Sequence, residues 1–94
     1  MNSILKDLKE KDKELNKQID IANGDPDKIL VLLSKRYKNY TQAEEQAEDP
    51  IIISTISSMI GDVVNNMAIF QIKKEFNEQI ARIITRLDNL ESKI

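Results

Sequence analysis

Two Asp-Pro dipeptides, Asp25-Pro26 and Asp49-Pro50, divide this chain into two short stretches and a third about twice as long as either. Each dipeptide is a helix-start signal. An Asp side chain accepts backbone N–H bonds at an N-cap, and Pro suits the first helical turn, where its missing N–H has no partner to lose. Between these marks the chain holds only two Gly and two Pro in 94 residues, too few for a fold built on β-turns. The expectation is an all-α chain: a hairpin of two helices, about 3–22 and about 26–47, and a long C-terminal helix, about 51–93. The whole reads as one small domain, 1–94.

The first stretch is a solvated helix. Lys6, Asp7, Lys9, Glu10, Lys11, Asp12, Lys13 and Glu14 mix both signs, which favours ion pairs worth about 0.2–0.5 kcal/mol each at helical spacing. Ile4, Leu8, Leu15, Ile19 and Ala22 form a thin apolar stripe. Asn23-Gly24 ends the helix, because Gly readily takes the left-handed conformation that follows a last turn. In the second stretch Leu30, Leu33, Tyr37 and Tyr40 step by 3 and 4 residues and mark a seam, with Leu33 and Tyr37 expected to be buried against the third helix.

The third stretch changes character along its length. From Ile51 to Ile72 the only charge is Asp62, and the apolar residues exceed one helix face. This half is expected to be buried on several sides. Its length would span a bilayer, but Ser54, Thr55, Ser57, Ser58, Asp62, Asn65 and Asn66 argue against insertion, so no transmembrane segment is expected. From Phe76 onward the pattern is a strict heptad seam: Phe76, Ile80, Ile83, Leu87, Leu90 and Ile94. The two stripes are out of phase. Phe70 to Phe76 is six residues, about 120° short of two full turns. Either one helix faces two different partners, or it breaks near Gln71–Glu75 to give a four-helix up-down bundle. The absence of Gly, Pro and Ser from that stretch favours continuity.

Composition removes most chemistry. There is no His, Cys or Trp, which eliminates the commonest general base, the thiol nucleophile and the usual transition-metal ligands. Glu44, Glu45, Glu48 and Asp49 lie close in sequence, but a di-iron bundle site needs His beside Glu. No cofactor, metal or enzymatic activity is expected. Fourteen basic and sixteen acidic residues give a net charge of −2, which argues against a dedicated nucleic-acid binder. Lys35, Arg36 and Lys38 do flank Tyr37 and Tyr40, yet the tyrosines fall on the apolar seam and read as core. The Asn39-Tyr40-Thr41 sequon reads as chance without a signal sequence. The charged N-terminus has no apolar signal core, so the expected location is cytoplasmic, with signal-independent export still compatible.

Two partial resemblances bear on function. Asp25-Pro26-Asp27-Lys28-Ile29-Leu30-Val31-Leu32, followed by Tyr37 and Tyr40, resembles the turn and second helix of type III secretion needle subunits over 25–40. That likeness implies a filament subunit, but those proteins end soon after their second helix, where this chain has Asp49-Pro50 and a further long stretch. The segment from Asp49-Pro50 to Leu87 resembles the last two helices of small bacteriocin immunity proteins, which implies a monomeric four-helix inhibitor. It lacks the loop between those helices. The residues themselves point to association. A third helix about twice the length of the hairpin leaves half of itself uncovered, and its seam would be covered by copies of the same chain or by a partner helix. The expected interface residues are Phe76, Ile80, Ile83, Leu87, Leu90 and Ile94.

Overall fold

The computed structural model describes residues Ser3 to Lys93, and these form three α-helices with no strand among them. Helix α1 is Ser3–Ala22, α2 is Pro26–Gln46 and α3 is Pro50–Ser92. Both Asp-Pro signals act as expected. Asp25 Oδ1 accepts from the amides of Asp27 and Lys28 at 3.0 and 3.5 Å, and Asp49 Oδ1 accepts from the Ile51 amide at 2.9 Å. Each Pro then occupies the first turn. At the α1–α2 corner Asn23 (φ 51°) and Gly24 (φ 79°) both turn left-handed. Gly does so without strain, and Asn is among the few other residues that visit this region routinely.

Helix α2 packs against both of the others. Its start lies beside the middle of α3, where Lys74 Nζ pairs with Asp27 Oδ1 at 3.0 Å. Its end lies beside the start of α3, where Ser57 Oγ donates to Glu44 Oε2 at 2.8 Å. Helix α2 therefore runs antiparallel to α3. It has 21 residues against 43 in α3. At 1.5 Å per residue these are about 31 and 65 Å long. The longest extent of the molecule, 70 Å, is set by α3.

The core joins Leu8 of α1, Ile29, Leu33, Tyr40 and Ala43 of α2, and Ile52, Ile56 and Val63 of α3. Met59, Ile60, Met67 and Phe70 pack at its edge. Helix α3 is unbroken through Gln71–Glu75, where Gln71 Nε2 donates to Glu75 Oε1 at 3.2 Å. The break required by a four-helix bundle is therefore not present.

Two expectations need correction. Tyr37 is not buried: it stays 40% exposed, while Leu33 is 3% exposed. The buried seam of α2 passes through Ile29, Leu33, Arg36, Tyr40 and Ala43, alternating steps of 4 and 3. Tyr37 lies one residue off that line. The apolar half of α3 is also not buried on several sides. One stripe is covered, and Ile51, Val64, Ile69 and Ile72 face outward. The reason is that α2 offers only one face to α3, and α1 sits on α2 rather than across the back of α3.

Candidate association surface

Beyond Lys74 the rest of α3 projects past the end of α2. Every described residue from Glu75 to Lys93 is exposed. The predicted interface residues Phe76, Ile80, Ile83, Leu87 and Leu90 are 39–60% exposed, although Asn77, Glu78 and Ala81 still line a groove with Pro26 and Asp27 at the start of α2. Ile94 lies outside the described residues. The seam sits on one azimuth because its steps of 4 and 3 average close to the helical repeat.

At about 100° per residue, the centre of this seam lies about 140° around α3 from the centre of the buried stripe. The overhanging seam thus faces nearly away from α2. On that azimuth it continues upstream to Ile72 and Ile69, both exposed. Ile84 widens it on one side and is also exposed. Further upstream the same azimuth carries Asn65, Asp62 and Ser58, all exposed and polar. The apolar surface therefore starts at Ile69 and runs to the end of α3. Sequence reading assigned Ile69 and Ile72 to the buried half. The missed signal is their spacing from Phe76, steps of 3 and 4 that extend the seam with one repeated four-residue step.

The junction between the two halves is marked by cations. Lys74 bonds Asp27, and this hydrogen bond, reinforced by the Asp27 charge, raises its pKa. Lys73 Nζ lies 4.8 Å from the centre of the Phe70 ring. Cations at this distance are held by the ring quadrupole.

The other polar feature lies between α1 and α2. Arg36 occupies a position on the buried seam of α2, and Asp12 occupies the matching position on α1, between Leu8 and Leu15. Arg36 Nε meets Asp12 Oδ1 at 3.2 Å, and neither atom has another partner. Arg36 Nη2 also donates to Asn16 Oδ1 and, at 3.5 Å, to the Asp12 carbonyl. The Tyr40 hydroxyl donates to Asp12 Oδ2. Burial, then this hydrogen bond, then the nearby Asp12 charge push the Tyr40 pKa far above the ordinary tyrosine value, with Arg36 opposing. The hydroxyl is thereby held as a donor. That is the reverse of the shift that would make it a base.

An open groove at the α1–α2 corner is lined by Gln18, Ile21, Ala22, Lys28, Val31 and Leu32, with no titratable pair in it. No group of three His, Cys, Asp or Glu side chains among the described residues is placed to hold a metal ion. By length and composition alone α3 is long and apolar enough to cross a membrane. No protein-family model, curated protein or solved structure matches this chain.

Proposed function

We propose that this is a non-enzymatic association module, a helical hairpin carrying a long helix whose outer half pairs as a coiled coil. The observation that supports this is the exposed seam of Ile69, Ile72, Phe76, Ile80, Ile83, Leu87 and Leu90 on the back of α3. Burying a large aliphatic side chain fully is worth about 1.5–3 kcal/mol, and association costs roughly 4–15 kcal/mol in lost freedom. One or two half-exposed side chains would not offset that cost. A seam of seven on each member of a pair is the scale that does. The two halves of α3 thus differ in role. The covered half holds the fold, and the overhang is free to bind.

The same residues argue against a membrane span. Asp62, Asn65 and Asn66 are exposed within the apolar half, and an Asp at mid-bilayer costs several kcal/mol. The partner is therefore a protein helix, with no nucleic acid and no bilayer core involved.

Sedimentation at several micromolar concentrations tests the proposal. The wild type should run larger than a monomer, and Ile83→Glu with Leu87→Glu should reduce it to a monomer by placing like charges across a dry seam. Asp88→Gln, off the seam, should leave the size unchanged. A wild type that stays monomeric across this range would overturn self-association. A double variant as large as the wild type would place the contact elsewhere, on the exposed apolar residues of the Ile51–Ile72 segment.

A further inference from the structure

Resting on the association reading above, we infer that the seam is covered by a second copy of this chain, aligned parallel and in register. Two observations carry this: which charges flank the seam, and where α2 sits relative to it.

In heptad terms the inner positions a are Ile80, Leu87 and Ile94, and the inner positions d are Phe76, Ile83 and Leu90. The flanking positions e are Asn77, Ile84 and Glu91, and the flanking positions g are Gln79, Arg86 and Lys93. In a parallel pair each g residue meets the e residue five positions further along the other copy. That sets Arg86 against Glu91 in both directions of the pair, giving two opposite-charge contacts. In an antiparallel pair g faces g and e faces e. The antiparallel alignment that overlaps the stretch from Phe76 to Ile94 sets Arg86 against Arg86, sliding it one heptad toward the C-terminus sets Arg86 against Lys93 and Glu91 against Glu91, and sliding it one heptad the other way sets Arg86 against Gln79. No antiparallel alignment brings Arg86 to Glu91.

These two charges are otherwise unused. Arg86 has Arg82, Ile83, Asn89 and Leu90 at its helical neighbour positions, so no acid can reach it within α3. Glu91 has Leu87, Asp88 and Ile94 at its own, so no base can reach it there. Neither takes part in an ion pair among the described residues. Lys11 with Asp7 and Lys74 with Asp27, by contrast, find their partners within the chain.

The position of α2 allows this alignment. Two parallel copies bring both hairpins to the same end. The buried stripe lies about 140° from the seam, so each hairpin projects outward and the helices can approach along their backs. The parallel alignment also sets Ile69 and Ile72 against their own counterparts. Contact then continues to the point where Asn65 and Asp62 take over the azimuth. Lys73, which holds the a position one heptad before Ile80, is drawn to the Phe70 ring and leaves the inner place to Ile72.

The chain has no cysteine, so single thiols report orientation cleanly. Leu90→Cys, Ile80→Cys and Thr85→Cys are at exposed positions and leave the core intact. Each variant is sedimented under reducing conditions and then oxidised mildly, and the linked peptides are identified by mass. Leu90→Cys should link position 90 to position 90 in nearly all chains, whereas Thr85→Cys, on the outer face, should not link. In an equal mixture of Ile80→Cys and Leu90→Cys, links should join like positions. Links joining position 80 to position 90 would show an antiparallel pair, overturning the orientation while leaving association standing. An assembly of wild-type size in which position 90 never links would place the contact off the seam and overturn the inference too. If every variant and the wild type sediment as monomers, the association reading itself fails and takes this one with it.

Discussion

The two halves of α3 carry apolar stripes of similar length, yet one is covered and the other is not. From Ile52 to Phe70 the stripe lies under α2, with Ile56 fully enclosed. From Phe76 to Leu90 a cleaner stripe lies open. Apolarity does not account for the difference, since the covered half is the more apolar and still leaves Ile51, Val64, Ile69 and Ile72 in the open. Length does. Helix α2 runs out beside Lys74, and no described residue covers the remainder of α3. A helix buries what its neighbours can reach.

The largest expected effect tests that division. Ile56→Ala should lower the unfolding free energy by about 2–5 kcal/mol, because it removes an enclosed side chain and leaves a cavity. Leu90→Ala, made in the monomeric Ile83→Glu, Leu87→Glu background, should change it by no more than about 0.5 kcal/mol. Urea unfolding followed by helical circular dichroism measures both. Equal losses at the two sites would mean that the overhang folds back on its own chain.

A smaller effect comes from the Arg36–Asp12 contact between α1 and α2. Arg36→Met keeps the side-chain stem but strands the Asp12 carboxylate, at an expected cost of about 1–3 kcal/mol. Adding Asp12→Leu together with Tyr40→Phe should recover most of that loss, since replacing every member of a buried polar network with apolar groups is often neutral. Tyr40 supplies a pH signature. Its folded pKa is raised, so the native state holds its proton more tightly than the unfolded chain does. Its contribution is whole below tyrosine's ordinary value of about 10 and is lost as pH rises from there through the raised folded value. In a Tyr37→Phe variant, phenolate absorbance should appear only as helicity falls. Phenolate formation in a fully helical protein would show that Tyr40 is open to solvent.

Helix starts were legible in the sequence because each rests on local chemistry: an Asp that caps and a Pro that fits the first turn. Expected spans of about 26–47 and about 51–93 differ by one residue at their ends from Pro26–Gln46 and Pro50–Ser92. In the sequence the seam of α2 reads through Leu30, Leu33, Tyr37 and Tyr40 because their steps of 3 and 4 join apolar and aromatic residues, whereas the line that is buried carries a charge at Arg36. Arg36 can be inside only because Asp12 interrupts the α1 stripe at the matching place, a long-range fact carried by two helices at once. Each interruption alone reads as a solvent-facing charge; the pair of them, one per stripe, was the signal that could have been read. The face of α3 that α2 covers depends on packing, so the outward side of Ile69 and Ile72 was not legible from their apolarity. The out-of-phase stripes and the length of the third stretch were legible, and they place Phe76, Ile80, Ile83, Leu87 and Leu90 on the exposed overhang.

The smallest expected effect sharpens the comparison most, since it concerns how the open half is used. Exposed ion pairs are worth about 0.2–1 kcal/mol, so Arg86→Glu alone should weaken a parallel pair only several-fold in dissociation constant, with Glu91 now facing Glu. Glu91→Arg alone should weaken it similarly, with Arg facing Arg. The double exchange restores opposite charges and should return the constant to that of the wild type. In the antiparallel alignment that overlaps the stretch from Phe76 to Ile94, position 86 faces position 86 and position 91 faces Ile84, so the two changes would not compensate one another. Recovery in the double variant, measured by sedimentation equilibrium, is therefore a sign of orientation and not merely of charge. High salt supplies the control, because screening at about 1 M shortens the reach of a charge to roughly 3 Å and should bring all four proteins together. The hairpin offers no such readout: Asp12 of α1 and Arg36 of α2 already face each other within one chain, and exchanging them tests the fold rather than the pairing.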